Sequence, residues 1–300
     1  MATDANLRGV YIPIITPFAE DGSVAIEALE RLCHEYLDAG AAGIVALGTT
    51  GESTALDADE KHAVIEACSR VCAERSAQLI VGAGTNNTRT TRQAVKDLAG
   101  TPALVATLTV VPYYVRPSEA GIVAHFKAVA EVSPVPLVVY NIPARTGRNL
   151  SAPNLYELAR TPNFAGVKQA PAGLDDDTLE LLRLTNGVDG FSVLGGTDTF
   201  LFPLVLLGGA GTICASAHVC TERFVAMIEC GLAGKVDEGR AHAEALLPVT
   251  QALFTEPNPA VFKGVLQAQG RIPTADVRLP LLNASGDATQ GAVDAIVTAS

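Results

Sequence analysis

The chain has 300 residues, 48% of them hydrophobic, with 21 basic and 32 acidic side chains and a net charge of -11. That is ample apolar material for a large core in one or two domains. The acidic balance and the absence of a basic run argue against nucleic acid and anionic membrane as partners. Six cysteines at 33, 68, 72, 214, 220 and 230 are too dispersed for a secreted disulfide framework. Cys68 and Cys72 have no second CxxC or His pair beside them, so reduced thiols are expected rather than a metal site. Residues 1–8 lack the apolar core of a signal peptide. No apolar stretch is long enough to span a bilayer, and a cytoplasmic protein is expected.

Residues 10–16 read as a first strand, closed by Thr16-Pro17. Residues 25–39 read as a helix, with Gly40 as its stop. Apolar runs recur at 42–47, 79–83, 103–109, 135–140, 164–169, 190–194 and 210–214, with a helical stretch between each and the next. From 42 onward they are mostly continuous in hydrophobicity, as expected of parallel strands covered on both faces. Eight βα units predict an α/β protein with a (β/α)8 TIM barrel. The alternative is an open doubly wound sheet, but no GxGxxG opens a helix after the first strand. Past residue 232 the strand signals stop, and 235–254, 259–269 and 291–298 read as helices. The expected organisation is a barrel catalytic domain over 1–232 and a small C-terminal helical domain over 233–300.

A barrel's active site lies at the C-terminal ends of its strands. Thr49, Thr50, Tyr113, Tyr114, Tyr140, Arg145, Lys168 and Gly196 fall at or just past such ends. Lys168 is the only charge in the run Phe164-Ala-Gly-Val-Lys-Gln-Ala170. Burial disfavours an ammonium ion, and a neutral amine can attack a ketone to form an imine, an electron sink. The structural alternative is a lysine paired with a carboxylate. In Gly48-Thr49-Thr50-Gly51-Glu52-Ser53, glycines and successive N–H groups suit a small carboxylate, or else form a plain turn. Tyr140 can relay a proton, and Arg145 carries a fork suited to a second carboxylate. Their alternatives are a packed tyrosine and a solvent-facing arginine. Tyr113-Tyr114 follows the fourth run, where interface packing is the competing reading.

Taken together, Gly48 to Ser53, Pro112-Tyr113-Tyr114, Tyr140-Asn141-Ile142-Pro143-Ala144-Arg145-Thr146-Gly147 and Gly166-Val167-Lys168 stand in one order and spacing. In this the chain resembles the dihydrodipicolinate synthase / N-acetylneuraminate lyase family over about residues 9–283. Glu256-Pro257-Asn258-Pro259 and Arg278-Leu279-Pro280 look like its C-terminal motifs. The resemblance implies a class I aldolase on a (β/α)8 barrel. It makes Lys168 the imine-forming lysine for pyruvate, with Thr49, Tyr140 and Tyr114 as a proton relay. Thr50 would bind the pyruvate carboxylate beside Thr49, and Gly196 and the Ile213 backbone would line the pocket. Tyr114 would enter a neighbouring subunit's site, implying a homotetramer built as a dimer of dimers. No metal or organic cofactor is implied.

Arg145 and the tyrosine pair favour the synthases, which condense pyruvate with L-aspartate 4-semialdehyde in lysine (diaminopimelate) biosynthesis, giving 4-hydroxytetrahydrodipicolinate. The alternatives are another pyruvate-dependent aldolase or lyase acting on a sugar acid or hydroxy-oxo acid, and a 2-oxo acid sensor without turnover. Departures from the synthase pattern fall at Val115, Gln169, 170–173 and 195–198, which line or neighbour the expected pocket. Ala58, Lys61 and Thr90 stand where lysine-sensitive members carry His, His and Glu, so weak or absent inhibition by lysine is expected.

Overall fold

The structure, a computed structural model, describes residues 6–299. Eight parallel strands close into one barrel in chain order, with the last returning to the first. They are β1 (Gly9–Pro13), β2 (Gly43–Ala46), β3 (Gln78–Gly82), β4 (Leu104–Val110), β5 (Leu137–Asn141), β6 (Phe164–Gln169), β7 (Ser192–Gly195) and β8 (Gly211–Ile213). The expected (β/α)8 barrel is borne out. Alternation explains the continuous hydrophobicity of the runs. Tyr11, Val45, Ile80, Leu108, Val138 and Leu194 fill the interior, while Val10, Ile12, Ile44, Ala46 and Leu79 pack outward under helices. β1 ends three residues short of the expected strand: the Ile14 N–H still donates to the Val45 carbonyl at 3.0 Å, but the Ile15 N–H donates to His218 Nε2 at 3.1 Å and to no strand.

The helices around the barrel are α1 (Ile26–Asp38), α2 (Ala58–Glu74), α3 (Thr88–Lys96), α4 (Glu119–Ala130), α5 (Pro143–Thr146), α6 (Ala152–Ala159), α7 (Asp176–Thr185), α8 (Leu201–Leu206) and α9 (Thr221–Leu232). Side-chain oxygens of Asp57, Asn87, Ser118 and Asp175 cap α2, α3, α4 and α7, taking N–H groups that a helix start leaves unpaired. The short α5, absent from the sequence reading, is made by Pro143 at its first position and by Gly147 at its end, at φ 68.

Three helices follow: α10 (Val236–Leu253), α11 (Ala260–Ala268) and α12 (Gly286–Ala299). α12 starts five residues before the expected 291 because Ser285 Oγ accepts the Ala288 N–H at 3.2 Å. Leu246, Val249, Val261, Phe262 and Val265 share one apolar cluster with α1, α2 and α9, so the C-terminal helices are welded to one flank of the barrel. No described helix is long and apolar enough to cross a membrane.

Candidate active site

Lys168 and Tyr140 stand side by side, paired in register on β6 and β5. Both are 7% exposed, and Lys168 Nζ lies 4.4 Å from the centre of the Tyr140 ring. Among the described residues Lys168 makes no ion pair. A second lysine shows what the structural alternative looks like. Lys263, also in an apolar run, is fully buried and pairs with Glu52 Oε1 at 2.6 Å. Its Nζ donates to the Asp276 carbonyl at 2.7 Å and lies 3.9 Å from the centre of the Phe18 ring. Burial lowers the Lys263 pKa to about 8, with Glu52 pulling against the shift. Lys263 is a core residue held by its counter-ion; Lys168 makes no such ion pair among the described residues, and its charge acts on Asp198 without one.

A cavity of about 330 Å³ opens beside Tyr140. Thr49, Tyr113, Tyr140 and Arg145 share its wall with Gly48 and Thr54. Thr49 comes from the turn after β2. Arg145 is exposed, carried in by α5, and its guanidinium makes no ion pair among the described residues. An unpaired arginine fork on a cavity wall suits a carboxylate. Thr50, next to Thr49, is 3% exposed and accepts from Asn258 Nδ2 at 3.1 Å. Ile213 ends β8, fully buried in the same interior cluster as Tyr140. Gly196 follows β7, where a Cβ would lie 2.8 Å from Lys168 Cγ and Cε.

Lys168, Thr50, Gly196 and Ile213 stand outside the cavity wall itself, and Tyr114 is turned to solvent. It is 87% exposed, at φ 70. Its neighbour Tyr113 lines the cavity instead.

The departures sort by where they point. Gln169 faces away from Lys168, as the next residue of a strand must. Its Oε1 accepts from Asn141 Nδ2 at 3.0 Å and its Nε2 donates to Thr178 Oγ1 at 3.0 Å, under α7. It therefore lies behind the barrel wall. Thr197 donates to the Pro171 carbonyl at 2.6 Å, tying two departing segments together. Asp198 accepts the Ser216 N–H at 2.7 Å. Loss of water raises its carboxyl pKa, while Ser216 and the Lys168 charge hold it down.

The sequence reading passed over Asn258 as part of a motif and missed Lys263 altogether. A lone charge in Ala260-Val-Phe-Lys-Gly-Val-Leu266 was the available signal.

Comparison with known proteins fits this geometry. The model of the dihydrodipicolinate synthetase family matches residues 6–300. The chain belongs to this family. It is 38% identical over 276 residues to the 4-hydroxy-tetrahydrodipicolinate synthase of Neisseria meningitidis serogroup C, covering 92% of this chain and 93% of that one. The crystal structure of dihydrodipicolinate synthase from Thermotoga maritima superposes with a TM-score of 0.92 at 32% identity, covering 98% of each chain. A monomeric dihydrodipicolinate synthase variant superposes at 0.93, with 31% identity over 99% of this chain and 98% of that one.

Proposed function

We propose that the chain is a 4-hydroxy-tetrahydrodipicolinate synthase that joins pyruvate to L-aspartate 4-semialdehyde through an imine on Lys168. The observation that carries this reading is a buried lysine that makes no ion pair among the described residues and lies over Tyr140, which lines one cavity with Thr49 and an unpaired Arg145. The Lys168 amine adds to the pyruvate ketone carbon, and water leaves as the imine forms. Loss of a methyl proton gives the enamine, whose carbon attacks the aldehyde, and the aldehyde oxygen takes up a proton. The amine of the acceptor then displaces Lys168 from the former ketone carbon, closing the ring and freeing the enzyme. Thr49, Tyr140 and Tyr114 move the protons. Thr50 holds the pyruvate carboxylate, Gly196 and Ile213 line the pocket, and Arg145 takes the acceptor's carboxylate. The lysine is its own electron sink.

Tyr114, exposed on its loop, reaches the cavity of a second copy of the chain, in a cytoplasmic homotetramer of two dimers. The barrel over 1–232 carries the chemistry, and 233–300 supports it.

Incubation with pyruvate, borohydride reduction and peptide mass mapping tests the reading. An adduct on Lys168 is expected, and its absence would sink it. A panel of aldehyde acceptors then separates the synthase from an aldolase for sugar acids or hydroxy-oxo acids. Fastest turnover with aspartate semialdehyde is expected.

A further inference from the structure

We propose that Asn258 is a positioning residue that makes the Thr50 hydroxyl a donor toward the substrate carboxylate, so that the C-terminal segment becomes part of the pyruvate site. The inference rests on Thr50 as the carboxylate-binding residue. Asn258 Nδ2 donates to Thr50 Oγ1 at 3.1 Å. A threonine hydroxyl has one proton to give and two lone pairs to receive with. With a lone pair taken by Asn258, the proton remains, and among the described residues Thr50 Oγ1 gives it to no protein group. A carboxylate only accepts, so this polarity is the one it requires. Asn258 Oδ1 is buried with no hydrogen-bond partner. Turning the amide over would spend the Thr50 proton on Asn258 and put two N–H groups where one carbonyl now stands unpaired.

The bond is held by a clamp that runs parallel to it. Glu52, two residues beyond Thr50, pairs with Lys263, five residues beyond Asn258. Glu52 Oε2 also accepts the Arg278 N–H at 2.8 Å, and Glu52 itself is at φ 52. The turn carrying Thr49 and Thr50 is thereby fixed to the C-terminal segment from both ends of one carboxylate. A buried, doubly tied contact of this kind sets the direction of a hydroxyl in a way that a solvent-facing turn does not.

The test is borohydride trapping of pyruvate at graded concentrations, with Asn258→Asp, Asn258→Ala, Thr50→Val and the double variant Thr50→Val/Asn258→Asp. An aspartate at 258 can only accept, and would take the Thr50 proton. Asn258→Asp is expected to raise the pyruvate concentration for half-maximal trapping by about tenfold or more, and Asn258→Ala by less. The KM for the aldehyde at saturating pyruvate is expected to stay level. In the Thr50→Val background Asn258→Asp is expected to add nothing, whereas simple repulsion between the introduced carboxylate and the substrate would persist there. Unchanged half-saturation in both Asn258 variants, or an equal effect in the Thr50→Val background, overturns the proposal. Should Asn258→Asp melt early, the alanine variant decides. Failure of the parent protein to label Lys168 would instead remove the underlying reading.

Discussion

Gly196 gives the Lys168 side chain its room: a methyl group at 196 would lie 2.8 Å from both Cγ and Cε of the lysine and 3.0 Å from Ala170 Cβ. The Gly196 N–H is anchored on the Gln169 carbonyl at 2.8 Å, so the backbone cannot step aside. Gly196→Ala is expected to push Lys168 off its rotamer, at about 1–3 kcal/mol. The rate of borohydride trapping should fall by about tenfold or more, since an amine displaced by an ångström loses its line of attack. Trapping at the parental rate would show that the contact relaxes harmlessly.

Lys263 and Glu52 are expected to behave as a unit of stability. Lys263→Met leaves the Glu52 carboxylate enclosed without its counter-ion, which costs about 3–5 kcal/mol. Denaturant titration should show that loss, and the double variant Lys263→Met/Glu52→Gln should recover a large part of it. Equal losses in the single and double variants would mean that the pair is not coupled.

These two lysines also show how far the sequence could be read. The eight apolar runs marked the barrel because parallel strands buried on both faces leave a continuous signature, and loops at their ends marked the site. Lys168 and Lys263 look alike in one dimension, each a single charge in an apolar stretch. Only the fold says that one ion-pairs with a carboxylate from a loop 211 positions away and that the other makes no ion pair among the described residues. The same holds for Gln169. Its position beside Lys168 suggested a pocket residue, whereas strand alternation turns it outward. The contact of Asn258 with Thr50 joins residues 208 apart, a separation that no local pattern records.

Gln169→Glu, which restores the residue usual in the synthases, is expected to lower the melting temperature and leave acceptor preference unchanged. Thr178 Oγ1 already gives its proton to Asp175 Oδ1 at 2.6 Å. A carboxylate at 169 would therefore face an oxygen with nothing to donate, a cost of about 1–3 kcal/mol. The ratio of kcat/KM values for two aldehydes measures the second half of the prediction, and a change in that ratio would place residue 169 in the specificity wall after all.

His218 makes the protein acid-sensitive. It is fully buried, accepts the Ile15 N–H through Nε2 and is packed edge-on against Tyr36. Loss of solvent lowers its pKa from 6.5 to about 4. The unfolded chain therefore binds the proton more readily than the folded one between those values. Stability is full above pH 6.5 and is lost as pH falls through 4, by up to about 3 kcal/mol. His125, lowered to about 4 by burial, adds a second loss of the same sign. Melting curves from pH 7.5 down to 4 should show the decline, and His218→Asn should flatten its slope while lowering the plateau. An unchanged slope in that variant would assign the acid sensitivity elsewhere.

Free lysine is expected to leave the enzyme uninhibited at micromolar concentration. Ala58 is the first residue of α2, with Lys61 one turn further on, and Thr90 lies in the first turn of α3. The resemblance places a lysine-binding role at these positions. Here they offer a methyl, an ammonium and a hydroxyl. None supplies the negative charge that a cationic effector needs, and Lys61 opposes it by like-charge repulsion. Thr90→Glu should introduce the missing counter-charge, and Lys61→His should remove the repulsion. Steady-state assays of the parent and of the paired variant, with lysine titrated at fixed pyruvate, measure both effects. Half-inhibition of the parent by micromolar lysine would show that the effector is held by other groups.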